Sequence, residues 1–165
     1  MIAVGTKDGR LQVIDPGSGT ARVDAVIPGV EVLSVAFSTS GDLVATGLSD
    51  RAWAVRDAAT GAELLRVQGH DGKDECSCTF DEDGCMQPDD SCVVVGHDTP
   101  VIAVCFSPCG KSVATGGEDD PAQAWDARSG ELLPMEVQHQ DAGRSVCYSS
   151  CGRWMASGNT LHPPP

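Results

Sequence analysis

The sequence predicts an all-β fold built from repeated sheets of four short antiparallel strands, and three observations predict it. The first is self-similarity. AFSTSGDLVATG at 36–47 faces CFSPCGKSVATG at 105–116, and Asp50, Asp57 and Gly61 face Asp119, Asp126 and Gly130, all at an offset of 69. Gly5, Asp8, Asp15 and Gly19 match Gly47, Asp50, Asp57 and Gly61 at an offset of 42, and CYSSCG at 147–152 matches CFSPCG at the same 42. The second is alternation. VLSVAF and VIAVCF alternate apolar and small residues, as half-buried strands do. The third is turn chemistry at fixed places: STSG, SPCG, TG and SG close the hairpins with residues that tolerate tight turns. A unit of this size cannot bury its own apolar faces, so successive copies must stack.

Taken in order, residues 1–29 supply the second, third and fourth strands of a unit whose first strand is absent, and residues 30–70 supply a complete unit. Residues 71–96 interrupt the period. Residues 97–140 supply a second complete unit, residues 141–158 the first two strands of another, and residues 159–165 a tail in which LHPPP stops the pattern, because proline cannot donate to a ladder.

The third copy carries Gly96-His97, FSPCG, ATGG, Asp119 and the closing Trp125-Asp126. On these residues the chain resembles the WD-repeat family of β-propellers, and the resemblance covers nearly all of it outside 71–96. It implies an all-β, partial WD-repeat β-propeller: about three four-stranded blades plus part of another, either an open arc or a fragment of a longer ring. It also implies that His97, Thr115, Asp119 and Trp125 form a structural hydrogen-bond network inside the blade. The pairing is chemically sound, since a buried carboxylate needs donors and a His, a hydroxyl and an indole N–H supply them. Asp8, Asp50, Thr46, His139 and Ser157 hold the equivalent positions in other copies. Arg56 and Ile14 stand where Trp125 stands, and Pro28-Gly29-Val30 replaces the histidine of the second copy. Only the third copy can build the whole network, so the others are expected to be looser.

Composition narrows function. The chain has a net charge of −13, so a nucleic-acid role is not expected, and an acidic surface points instead to protein or peptide partners, basic ones included. MIAVGTKDGRL lacks a basic start and an apolar run, so no signal peptide is expected, nor any membrane span. The eight cysteines are expected as thiols in a reducing compartment, the cytoplasm or nucleus.

The insertion repeats the tripeptide Gly-His-Asp at 69–71 and 96–98, and removing one unit of 27 residues restores the 42-residue period. It holds eight of the 24 acidic residues and four of the eight cysteines. Cys76, Cys78, Cys85 and Cys92 are candidate metal ligands, but their C-x-C-x6-C-x6-C spacing lacks the paired knuckles of a zinc site. Asp81, Asp83, Gly84 and Asp90 follow part of a calcium-loop pattern that Thr79 and Pro88 spoil. The remaining readings are an acidic docking loop and a disordered surface loop, and dense like charge with few apolar residues favours the last.

Elsewhere, Cys105 with Cys109 and Cys147 with Cys151 repeat a C-x3-C spacing. Repeat register accounts for it, and Cys105 and Cys147 are expected as small buried hydrophobes. Trp53 and Trp154 occupy apolar positions of other copies and are expected in the core. His97 and His139 have no nucleophile motif beside them, and Gly116-Gly117 lacks a phosphate-loop ending. The expectation is a non-enzymatic interaction scaffold with no cofactor, able to self-associate through its terminal blades. The alternative is a metal-binding or redox-responsive module centred on the insertion cysteines.

Overall fold

The computed structural model describes residues 1–69, 96–118, 122–134 and 144–158. The described residues form four antiparallel sheets. The first contains β1 (Ile2–Gly5), β2 (Arg10–Ile14) and β3 (Ala21–Val26), and the second β4 (Val32–Phe37), β5 (Leu43–Leu48), β6 (Trp53–Asp57) and β7 (Glu63–Val67). The third contains β8 (Val101–Phe106), β9 (Ser112–Gly117) and β10 (Gln123–Asp126), and the fourth β11 (Ser145–Tyr148) and β12 (Met155–Gly158). Each is a meander, with strands paired in chain order. After β10 the chain bridges back on it, with Trp125 opposite Leu132 and the Leu133 N–H bonded to the Ala124 carbonyl at 2.8 Å, and the rest of the expected fourth strand lies outside the described residues.

The sheets stack through their innermost strands: β4 packs on β8, β11 on β8, and β1 on β4. Three apolar layers fill the gaps. Leu11, Val13 and Val23 of the first sheet meet Val44 and Ala58 of the second. Ala45, Trp53 and Val55 meet Val101, Val104, Val113 and Trp125, and Ala103, Ala114 and Ala122 meet Val146. Each fully buried valine or leucine in these layers contributes about 1.5–3 kcal/mol. Small residues set the spacing. A methyl group on Gly47 would stand 2.4 Å from the Val101 carbonyl oxygen, and one on Gly5 would stand 2.3 Å from Val32 Cγ1. The equivalent glycines of two copies thus admit the first strand of the next sheet.

Two expectations are corrected at the last sheet. Trp154 is 75% exposed, and Cys147 is exposed rather than buried. Both occupy a terminal sheet, where no further sheet among the described residues stacks on them. Cys105, one sheet inward, is half-buried; burial, with the Cys147 thiol adding to it, pushes its pKa up to about 11. A thiol so held stays protonated at neutral pH.

Candidate protein-interaction surface

Inside the third sheet, the Trp125 indole N–H donates to Thr115 Oγ1 at 2.7 Å, and that oxygen lies 2.6 Å from His97 Nε2. A hydroxyl has one proton and two lone pairs, so Thr115 Oγ1 can serve the indole and the imidazole at once. Sheet geometry explains the meeting. Thr115 on β9 pairs with Gln123 on β10, which leaves Trp125 two residues along on the same face. All three side chains are buried. Asp119 and His139 lie outside the described residues, as do Cys76, Cys78, Cys85 and Cys92 and the carboxylates considered for calcium.

The equivalent residues of the other copies do different work. The Thr46 hydroxyl donates to the Ala54 carbonyl at 3.4 Å. Asp50 pairs with Arg66 and accepts the Ala52 N–H at 3.3 Å. Asp8 accepts from the Thr6 hydroxyl, which pulls its pKa down, and stands 3.9 Å from Arg10. Ser157 pairs across from Val146. Arg56, in the tryptophan position, is 7% exposed. It donates to the Gly61 carbonyl at 3.3 Å and pairs with Glu63. Burial pulls the guanidinium pKa down, Glu63 opposes that, and Arg66 adds to it. In the second sheet all four strands pair in order. The ion pairs Arg56–Glu63 and Arg66–Asp50 tie β7 to the strand and turn before it. These pairs, and the 5.6 Å contact between the Trp53 and Trp125 rings across two sheets, were not anticipated. Repeat register carried the only signal for Arg56: it stands where Trp125 stands.

The hairpins end on two opposite faces. On one, Ser38, Ser107 and Ser149 each accept a backbone N–H, from Leu43, Ser112 and Trp154 at 3.0–3.1 Å. On the same face Asp15, Asp57 and Asp126 cap the next turns, with Oδ1 accepting from Gly17, Ala59 and Arg128 N–H. All three carboxyls are held below the usual carboxylate range, Asp15 first by the Gly17 N–H, Asp57 by the Thr60 hydroxyl and Asp126 by the Ser129 N–H. Cys109 and Cys151 lie exposed in these serine turns, and the Ser107 and Ser149 hydroxyls lower their pKa.

The other face carries Asp8, Asp50 and both ends of the insertion. Gly69 and Gly96 abut there. A methyl group on Gly96 would stand 2.9 Å from Gly69 Cα, and one on Gly69 would stand 2.2 Å from the His97 carbonyl and 2.4 Å from that of Arg51. The chain therefore leaves and re-enters this face at one point. A cleft of about 400 Å³ opens between the turns of the first and second sheets, lined by Lys7, Asp8, Gly29, Val30, Glu31 and Ser49. Ser49 fixes its floor: its Oγ accepts the Glu31 N–H at 2.9 Å, and its own N–H returns to the Glu31 carbonyl at 3.1 Å. Among the described residues, no group of three or more His, Cys, Asp or Glu side chains is placed to hold a metal ion.

The family model "WD domain, G-beta repeat" matches residues 26–56 and 90–120. Among solved structures, the "Crystal Structure of Mitotic Checkpoint Complex" contains a chain that is similar with a TM-score of 0.64 and 19% identity. The match covers 88% of this chain and 38% of that one, so this chain spans well under half of its length. At that identity the likeness shows the fold. Repeat register, sheet order and both comparisons agree: the chain carries WD40 repeats and has the fold of a partial β-propeller.

Proposed function

We propose that the chain is a non-enzymatic interaction scaffold that binds a basic protein or peptide on the face where Asp8, Asp50 and the ends of the 71–96 insertion converge. WD40 repeats and a propeller-like neighbour found in a protein complex support a scaffold. The observation that carries the finer reading is the abutment of Gly69 and Gly96. It anchors a segment holding eight acidic residues and one lysine beside Asp50, on a rigid sheet end. Such an arrangement concentrates negative potential at one edge, attracts cations over about a Debye length and speeds encounter. Nucleic acid and membrane are not partners in this reading; no helix among the described residues is long and apolar enough to cross a bilayer. The free thiols at Cys105, Cys109, Cys147 and Cys151 support a cytoplasmic or nuclear setting.

Deletion of residues 70–96, which joins Gly69 to His97, tests this. Because the two ends already touch, the deletion leaves the melting temperature unchanged or slightly raised, since a long closed loop costs entropy. A fluorescent Lys/Arg-rich peptide binds the intact chain, weakening as salt rises, and binds the deleted chain at least tenfold more weakly. Equal binding by both chains, or none by the intact one, refutes the proposal.

A further inference from the structure

On the face opposite Asp8 and Asp50, the third sheet holds a cleft between the serine turn that joins β8 to β9 and the aspartate turn after β10. The two turns are locked side by side: Asp126 pairs with Ser112, and the Ala127 N–H donates to the Lys111 carbonyl at 2.8 Å. The cleft has a volume of about 360 Å³ and is lined by Cys109, Gly110, Lys111, Asp126 and Arg128. That size falls in the range of small-molecule sites, about 300–1,000 Å³. The second sheet builds the same cleft, about 350 Å³, in part from Gly41, Asp42, Asp57 and Ala59. By the 69-residue offset, Asp42 stands where Lys111 stands, Ala59 where Arg128 stands, and Ser40 where Cys109 stands. The fold therefore supplies the cleft in both copies, and the third copy alone of the two puts a thiol and two cations around it.

Those cations are uncommitted. In a chain of net charge −13, Arg10, Arg22, Arg56, Arg66 and Arg144 are paired with carboxylates, whereas Lys111 and Arg128 form no ion pair among the described residues. Asp126 takes the Arg128 and Ser129 N–H groups through Oδ1, which leaves Oδ2 to accept a further donor. The Cys109 thiol is exposed, with its sulfur 3.4 Å from the Ser107 oxygen. The Ser107 hydroxyl, then the Lys111 N–H, draw its pKa down, so more of it is thiolate than in an unperturbed cysteine. A ligand that answers these groups carries two carboxylates, an ammonium and a sulfur open to attack.

We propose that the cleft is a thiolation site, at which a small zwitterionic peptide disulfide of the glutathione type modifies Cys109 while Lys111 and Arg128 hold its carboxylates and Asp126 its ammonium. The Cys109 thiolate attacks one sulfur of the disulfide. The new sulfur–sulfur bond forms as the old one breaks, Cys109 is oxidised and the departing half is reduced. That half leaves as a thiolate and takes up a proton in place of the one Cys109 lost. Excess reduced glutathione reverses the exchange. The site uses no residue of the insertion root or its face, so it stands independently of the binding proposal above.

The test uses the full chain, reduced and then freed of reductant. Glutathione disulfide gives a mixed disulfide on the peptide containing Cys109, found by mass spectrometry and released by excess reduced glutathione. Rates are compared with those for hydroxyethyl disulfide, a neutral reagent that offers the cations nothing. Replacing both cations, Lys111→Gln with Arg128→Gln, slows glutathione disulfide about tenfold relative to the neutral reagent, the effect of two surface ion pairs. Ser40→Cys in a Cys109→Ser background places a thiol in the equivalent cleft beside Asp42, and it disfavours glutathione disulfide by at least as much. Absence of an adduct at Cys109 overturns the proposal. So does an equal loss toward both reagents in the double variant, which marks Cys109 as a reactive thiol only. A Ser40→Cys thiol that discriminates between the reagents as Cys109 does overturns it as well.

Discussion

Trp125 and Arg56 stand at the same position of two adjacent repeats, and both are buried. Trp125 satisfies its one donor on Thr115, which in turn meets His97. Arg56 keeps its charge and satisfies it at the far end of the same sheet, on Glu63 and the Gly61 carbonyl. The register therefore dictates burial and side-chain volume at this place, while the chemistry that fills it is free to vary. The two solutions differ in where they place dependence. The tryptophan leans inward, on a hydroxyl between β9 and β10. The arginine leans outward, on β7, which makes β7 the fourth strand that its sheet needs. In the third repeat the corresponding place starts with the Trp125–Leu132 bridge and the Leu133 N–H bond to the Ala124 carbonyl, and the residues that follow lie outside those described.

Removing the anchor of the third repeat breaks this comparison most sharply. Trp125 is fully buried, touches the Trp53 ring and holds Thr115. Trp125→Ala is expected to cost about 3–5 kcal/mol, read as a lower urea midpoint with an unchanged slope. A loss below about 1 kcal/mol would mean that the cavity collapses or that Trp125 is not the anchor.

A matched pair sharpens it. Thr115→Val removes a hydroxyl on which Trp125 and His97 both depend, so it is expected to cost about 2–3 kcal/mol. Thr46→Val removes a single long bond at 3.4 Å and is expected to cost less than about 1 kcal/mol. Valine keeps the branched shape in both strands, so the difference isolates the hydrogen bonding. Equal losses in thermal unfolding would show that the two sheets do not differ in this respect.

Much of this was legible in the sequence. The four-strand unit and the register of Thr46 on Thr115 follow from repeat position, because every copy must present the same strands to its neighbours, whereas the meeting of His97, Thr115 and Trp125 was implied by the resemblance to WD repeats. The exposed Trp154 and Cys147 were not legible. Their burial depends on a sheet stacking against β11 and β12, and position within a repeat cannot report whether a neighbour exists. The ion pairs of Arg56 and Arg66 were hidden for another reason. They join strands whose partners are set by sheet order and side-chain reach, and equivalence of Asp50 with Asp119 carries no information about its pairing with Arg66.

The smallest expected effect concerns one turn. Gly9 and Arg51 are equivalent by the 42-residue offset, and both adopt the left-handed region, at φ 78° and 70°. Glycine does so freely, whereas a residue with a Cβ is strained there by about 1–2 kcal/mol. Arg51 also carries a buried Nε with no hydrogen-bond partner among the described residues. The turn holds this strain where the Arg51 carbonyl and Cβ crowd Gly69, at the root of the insertion. Arg51→Gly is therefore expected to stabilise the chain by about 0.5–1 kcal/mol, part of the relief being offset by the added freedom of the unfolded chain. A higher urea midpoint is the readout. A lower one would show that the arginine stem packs usefully against the Gly69 turn, and that the second repeat tolerates its backbone strain for that contact.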